Sequence, residues 1–267
     1  MVMNATWNEV FHDLVLGAAQ YDAYLRLGYD DILKYYRRST IGALWVTVNV
    51  ALFVAGIGLF YSMILSDHEQ DYFLSFGIGY VFWYAIASSL TNACTTFTKI
   101  SDVLLQRRTT LSEHAFRQIS REFFLFLHTL PIIFILVLLL GESMQGMGYA
   151  LAALAILAFL YIGFWLAIIL GVISALWRDI PPIMTSITSL LFFLTPIIWS
   201  PDAIPDHLGI LLHINPAAAM IELLRDAIMN VTTKPWVYMN LALTSVLVTI
   251  AGLMAMRLTK HRLAYWL

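Results

Sequence analysis

Residues able to do catalytic chemistry are present in this chain but not in catalytic arrangements. Seven histidines stand at positions 12, 68, 114, 128, 207, 213 and 261, and neither they nor the single cysteine, Cys94, form a pair at metal-binding spacing. The nearest approach to an acid–base cluster is Asp67, His68, Glu69 and Asp71, which reads more simply as a short acidic turn. No Ser-His-Asp order is placed to make a nucleophile, and no G-x-x-x-x-G-K-[ST] loop is present to cradle a nucleotide's phosphates. Asn4-Ala5-Thr6 and Asn230-Val231-Thr232 read as chance sequons. What remains is a pair of adjacent cations, Arg37 and Arg38, followed by a stretch to Ser66 with no charged residue at all.

That stretch is one of six. Charge-free runs cover Ser39–Ser66, Tyr72–Thr98, Phe123–Gly141, Ser143–Trp177, Ile180–Pro201 and Pro235–Met256. Each has about the 20 apolar residues that an α-helix needs to cross a bilayer, with the third and fifth runs the shortest cases. The composition agrees: 267 residues, 60% hydrophobic, 12% charged and a mean hydropathy of +0.78. A soluble domain carries about twice that share of charge. A net charge of −2 advertises no nucleic-acid partner, and one cysteine cannot form an internal disulfide. The first forty residues mix acids and bases and do not read as a cleaved signal peptide.

Orientation follows from the cations. With both termini cytoplasmic, thirteen of the fifteen Lys and Arg residues lie inside, and only Arg225 and Lys234 lie outside. The acids divide nine to eight, as a rule set by cations predicts. Arg37 and Arg38 then hold the first span's inner end. No Asp, Glu, Lys or Arg lies within any of the six runs, so ion-coupled transport is not expected. His128, one turn before Pro131, reads as a hydrogen-bonded histidine beside a proline kink. Gly163, Ala167, Gly171 and Ala175 give the fourth span a flat face for a close neighbour, with a weaker echo at Ala43, Thr47, Ala51 and Ala55. Phe73, Phe76, Tyr80 and Tyr84 share a face of the second span; such rings pack in most membrane helices, and they also suit a wall along which a sugar slides.

Outside the runs, Trp7, Val10, Phe11, Leu14, Val15 and Ala18 share one helical face, with Glu9 and Asp13 elsewhere. Tyr21, Leu25, Gly28, Ile32 and Tyr36 continue the spacing, giving an amphipathic segment along the cytoplasmic interface. Residues 99–122 form the longest inner loop, where Thr110 or Ser112 can cap a helix with Glu113 in its first turn. On the outer side, Asn215-Pro216 starts a helix on which Met220, Ile221, Leu224 and Ile228 share a face and Glu222, Arg225 and Asp226 take the rest. Too polar to span and too apolar for a loop, it reads as part of a re-entrant or interfacial hairpin. The expected fold is an all-α integral membrane protein with six transmembrane helices, an N-terminal amphipathic interface helix, and an outer re-entrant hairpin between spans five and six. Residues 1–38 would be the interface segment and 39–267 the six-span domain.

Several stretches resemble one family. Arg37-Arg38-Ser39-Thr40-Ile41-Gly42-Ala43-Leu44-Trp45, Arg178-Asp179-Ile180, Thr195-Pro196-Ile197-Ile198-Trp199 running on to Ile204-Pro205, Asn215-Pro216 with Arg225, and His261-Arg262-Leu263-Ala264 are together similar to type-2 ATP-binding-cassette permeases. The likeness covers nearly the whole chain and is nearest to exporters of lipid-linked polysaccharide such as O-antigen, capsule and teichoic acid. It implies a homodimer joined to two separate ATPase subunits, with no cofactor of its own because ATP binds the partner. It also implies a multi-pass place in the cytoplasmic (inner) membrane of a bacterium, among membrane lipid. Residues 99–122 would hold the coupling helix, with Arg107, Arg108, Glu113 and Arg117 facing the ATPase; no proline follows Arg107-Arg108, where relatives often carry one, so its position within that loop stays open. Tyr36, Arg37 and Arg38 would form the substrate's entrance, the arginines meeting an anionic pyrophosphate. Phe73, Phe76, Tyr80, Tyr84 and Trp199 would line the channel. The hairpin 200–229 would be the outer gate, with Pro205, Asn215, Pro216 and Arg225. The same architecture exporting a drug or lipid, a non-conducting scaffold subunit, and an intramembrane transferase are the alternatives; the last lacks convergent acid–base groups.

Overall fold

A computed structural model describes residues 4–64, 69–100, 109–141, 144–201, 205 and 209–266, and every regular element among them is helical. Helices α1 (Trp7–Ala19) and α2 (Tyr21–Tyr35) come first, and Thr6 starts α1 through a capping box with Glu9. A rod then runs from α3 (Leu44–Phe53) through a π-helical turn at Val54–Gly58 into α4 (Leu59–Ile64). Three long helices follow: α5 (Glu69–Ala93), α6 (Leu111–Leu140) and α7 (Gly146–Leu176). After them come α8 (Ile180–Leu194), α9 (Gly209–His213), α10 (Pro216–Ile228), α11 (Pro235–Thr259) and α12 (Leu263–Trp266).

Among the described residues, five helices are long and apolar enough to cross a membrane: Leu44–Tyr61, Asp71–Ala93, Leu111–Leu140, Gly146–Leu176 and Pro235–Thr259. The third, short as a charge-free run, is not short as a helix, because its polar first turns are helical too. The fifth expected span behaves oppositely. α8 has 15 residues, which at 1.5 Å each reach about 22 Å, less than the roughly 30 Å hydrocarbon core. Prolines bound it: Pro181 and Pro182 sit in its first turn, and Thr195 turns to an extended ψ of 139° just before Pro196.

The small-residue face of α7 does what its spacing predicts. Gly163, Ala167, Gly171 and Ala175 are all buried. A Cβ on Gly163 would stand 2.5 Å from Ile119 Cδ1 of α6, and one on Gly171 would stand 2.8 Å from Phe97 Cδ2. Gly163→Leu is therefore expected to cost about 1–3 kcal/mol through overpacking, measured as a lowered midpoint of thermal unfolding for the detergent-solubilised chain.

The two N-terminal helices correct the sequence reading. α1 turns Val10, Asp13 and Gly17 inward, while Trp7, Phe11 and Val15 are exposed. Asp13 was expected off the apolar face of α1; it is buried at the start of α6. There it accepts hydrogen bonds from Leu111 N (3.2 Å), Ser112 N (3.0 Å) and Ser112 Oγ (2.8 Å), and pairs with Lys260 Nζ at 3.0 Å. A helix start offers free N–H groups, and a carboxylate satisfies them better than an apolar side chain. On α2 the expected set divides: Gly28 and Ile32 are buried, while Tyr21 and Leu25 are exposed in line with Tyr29 and Leu33. Gly28 allows contact with α6, since a Cβ there would lie 3.0 Å from Arg117 O and Arg121 N. Each helix thus docks through a glycine and an aliphatic residue, with Asp13 added on α1, and leaves an apolar stripe uncovered: Trp7, Phe11 and Val15 on α1, and Tyr21, Leu25, Tyr29 and Leu33 on α2.

Candidate conduit wall and outer clamp

The segment Thr195-Pro196-Ile197-Ile198-Trp199 is held by three side chains from elsewhere. Asn215 caps α10, its Oδ1 accepting from Ala217 N (3.0 Å) and Ala218 N (3.2 Å), and its Nδ2 donates to Thr195 Oγ1 at 2.9 Å. Arg225 donates Nη2 to Pro196 O and Nη1 to Glu222 Oε1, each at 2.7 Å. Tyr72 of α5 donates to Ile198 O at 2.9 Å. Pro196 interrupts regular bonding here, so the freed carbonyls find side-chain donors instead. Trp199 donates Nε1 to Phe193 O at 2.9 Å, folding the segment back on α8.

α10 itself is more deeply placed than its amphipathic pattern indicates. Every residue from Ala217 to Ile228 is buried, Glu222, Arg225 and Asp226 included. It lies among α5, α7 and α11, and Gly79 of α5 gives way to the guanidinium: a Cβ there would stand 2.6 Å from Arg225 Nη2. A cavity of about 310 Å³ opens beside this cluster, with Tyr72, Trp199, Arg225, Asp226 and Lys234 on its walls. Pro216 takes the first helical turn as expected, and Pro205 is exposed.

The aromatic face of α5 is a continuous stack. Tyr72 and Phe76 stack at 6.2 Å, Phe76 and Tyr80 at 5.9 Å, and Phe53 of α3 lies against Tyr80 at 4.1 Å. Phe192 of α8 meets both Phe53 and Tyr80 edge-on. Phe76 is 1% exposed and belongs to the core, whereas Phe73, Tyr80, Tyr84 and Trp199 are half-buried. Phe73 lies over Gly58, where a Cβ would meet its ring at 2.6 Å.

Arg37 and Arg38 are exposed in the turn that joins α2 to α3, beside half-buried Tyr36, and neither carries an ion pair among the described residues. That turn needs Gly42, whose φ is 60°, a region costly for residues with a Cβ. Thr110 caps α6 by accepting from Glu113 N at 3.3 Å. Arg117 makes a two-pronged pair with Asp31 of α2, Nε and Nη2 donating at 2.7 and 2.6 Å. Arg107 and Arg108 lie outside the described residues, as do Asp67 and His68 of the acidic turn. His128 bonds the Phe124 carbonyl through Nδ1 at 2.7 Å, and Thr47 donates to the His128 carbonyl, the local role expected next to Pro131.

The expectation of an uncharged interior needs correction. The runs themselves are free of charge, but Glu122 is fully buried on α6, accepting from Ser88 Oγ (2.6 Å), Gln118 Nε2 (3.0 Å) and Arg121 Nη1 (2.6 Å). It stands one residue before the third run, so a search for charges inside runs passes over it. Tyr72 and Gly79 were missed as partners of the 195–199 segment, and Asp31 as the partner of Arg117. The sequence held one signal for Gly79: two glycines spaced by one, Gly77 and Gly79, on an otherwise bulky helix.

Five apolar helices long enough to cross a membrane, a short helix bounded by prolines and a buried helix that carries charged residues describe a multi-pass membrane protein. The chain belongs to the ABC-2 type transporter family, whose model matches residues 23–229. It is a multi-pass membrane protein. Among curated proteins it is similar to two described as O-antigen export system permease protein RfbA from Klebsiella pneumoniae, each 26% identical over 237 residues that cover 88% of this chain and 90% of the relative.

Proposed function

We propose that the chain is the membrane-spanning permease subunit of an ATP-driven exporter that carries lipid-linked polysaccharide of the O-antigen kind across the cytoplasmic (inner) membrane of a bacterium. The observation that carries this reading is the near end-to-end similarity to O-antigen export permeases. A chain with no phosphate loop and with its buried charges tied into hydrogen bonds has no motor of its own. A separate ATPase supplies it. Two permease subunits and two ATPase subunits make the working unit, and the glycan passes between the permeases.

In this reading α8 is the fifth of six crossings, its missing length made up by the 195–199 segment. The pair α9 and α10 forms the re-entrant outer gate, and both termini are cytoplasmic. The exposed stripes Trp7, Phe11, Val15 and Tyr21, Leu25, Tyr29, Leu33 support α1 and α2 lying in the inner interface, apolar side down. Arg37 and Arg38 meet the diphosphate at the entrance, Tyr80, Tyr84 and Trp199 face the glycan, and the segment around Arg107 and Arg108 receives the ATPase stroke. The chain expressed with the ATPase encoded beside it is expected to co-purify with it, and lipid-linked glycan is expected to change the ATPase rate of the reconstituted complex. Absence of any associated ATPase would remove the proposal's energy source.

A further inference from the structure

A polar pocket of about 430 Å³ lies at the inner surface, between α2, the turn after α5 and the first turns of α6. Lys34, Lys99, Arg117 and Arg121 line it, against one lining carboxylate, Asp31. Asp31 is taken up by Arg117 at 2.6 Å, and Glu122, behind the wall, by Arg121 at 2.6 Å. Four cations less two carboxylates leave two positive charges, those of Lys34 and Lys99, which carry no ion pair among the described residues. Partial loss of hydration and then the Arg121 charge lower the pKa of Lys99, opposed by the nearby Glu122 and Asp31 carboxylates.

His114 supplies a second, independent observation. It lines the same pocket at 5% exposure, and Thr109 Oγ1 lies 2.8 Å from its Nε2, while its buried Nδ1 has no partner among the described residues. The Thr109 contact allows either ring tautomer; the one in which Thr109 donates to Nε2 carries the ring proton on Nδ1, and it is the tautomer that an anion selects. Two exposed ammonium groups without an ion pair and one buried imidazole nitrogen without a partner, around a single polar cavity, make a setting suited to an anion.

The position of the pocket says what kind of anion. Arg121 stands two residues before the charge-free run that begins at Phe123, which puts the pocket at headgroup depth. Exposed Tyr29, Leu33 and Tyr35 flank it on α2, an apolar approach that fits a molecule arriving from the bilayer. The geometry points to a binding site for a phosphate or diphosphate group borne by a membrane lipid, gripped by Lys34, Lys99 and His114. Basic pockets between helices on the inner side hold phosphorylated headgroups for this reason. Its source is either a bilayer phospholipid or the diphosphate of the exported lipid-linked glycan, and the second rests on the export reading above.

The test uses the full-length chain in nanodiscs of phosphatidylcholine, titrated by microscale thermophoresis with farnesyl diphosphate, dioleoyl phosphatidic acid, inorganic pyrophosphate and farnesol. Neither Lys34 nor Lys99 holds the fold through an ion pair, so the double variant Lys34→Gln with Lys99→Gln leaves the structure intact. It is expected to weaken farnesyl diphosphate at least about tenfold, the worth of one lost charged hydrogen bond. Farnesol binding should not respond, and Lys34→Arg with Lys99→Arg should restore the diphosphate. Tighter binding of farnesyl diphosphate than of phosphatidic acid assigns the site to the exported lipid, and the reverse order assigns it to bilayer phospholipid. Equal diphosphate affinity in wild type and double variant overturns the site. So does a double variant that keeps diphosphate binding but no longer co-purifies with the ATPase, since the pocket is then a protein contact and the export reading stands. Loss of diphosphate binding in a chain that never recruits an ATPase keeps the site and sinks the export reading.

Discussion

Replacing Arg225 by alanine is expected to destabilise the protein by about 3–5 kcal/mol, the range for breaking a buried ion pair from one side, and to abolish transport. The guanidinium sits between two carboxylates of its own helix and reaches out to one carbonyl of the 195–199 segment. It donates to Glu222 and to Pro196 O at 2.7 Å each, and Asp226 adds its charge. Alanine withdraws the cation from buried acids and the donor from a carbonyl next to a proline. Lysine restores the charge but not the fork that serves two acceptors in fixed directions, so Arg225→Lys should recover only part of the loss. Gly79→Val approaches the same group from the opposite helix, where the added Cβ would meet Nη2 at 2.6 Å, and should act in the same direction. Thermal unfolding of the solubilised chain, with protease sensitivity around residues 195–201, gives the measurement. An Arg225→Ala protein with wild-type stability and cleavage pattern would contradict the clamp.

The second large effect is expected at Asp13. Its side chain takes hydrogen bonds from two backbone amides of α6 and from Ser112 Oγ, and Lys260 stands at 3.0 Å. One residue thereby joins α1, the start of α6 and the end of α11. Loss of a helix cap costs about 0.5–2 kcal/mol and loss of a charged hydrogen bond about 1.5–3; since these overlap at Asp13, Asp13→Ala is expected to cost about 2–4 kcal/mol. Asp13→Asn keeps the acceptor and should lose less. Hydrogen exchange localises the effect: the amides of Leu111 and Ser112 should exchange faster in Asp13→Ala, with those of α7 unchanged. Uniform acceleration across the chain would show that Asp13 has no local capping role.

The long helices were legible because their cause is local. A charge-free run of bilayer length dictates a helix, and the four-residue spacing of Gly163, Ala167, Gly171 and Ala175 dictates a close neighbour, found in Ile119 and Phe97. What escaped depends on partners distant in sequence. Asp13 read only as a residue off the apolar face until the start of α6 came beside it, and Glu122 looked like the last residue of a loop until Ser88 and Arg121 closed on it. The run at α8 reaches span length because hydropathy counts Pro196 and the residues beyond it, whereas the helix itself ends at Leu194. Candidate site residues were found where a motif marks them, as with Asn215, Pro216 and Arg225. Their partners Tyr72, Gly79 and Asp31 carry no motif, only a position.

The burial of α10 also bears on how the protein is made. A segment holding Glu222, Arg225 and Asp226 gains nothing from lying alone in hydrocarbon, where each ionised side chain costs about 2.5–3.5 kcal/mol even by the lenient insertion scales. It becomes stable only once a polar berth exists, formed by Tyr72 and Gly79 of α5, the Pro196 carbonyl and the wall of α7. All of these precede it in translation. Every part of the berth is therefore synthesised before its occupant, and α11, next in sequence, packs on the remaining side.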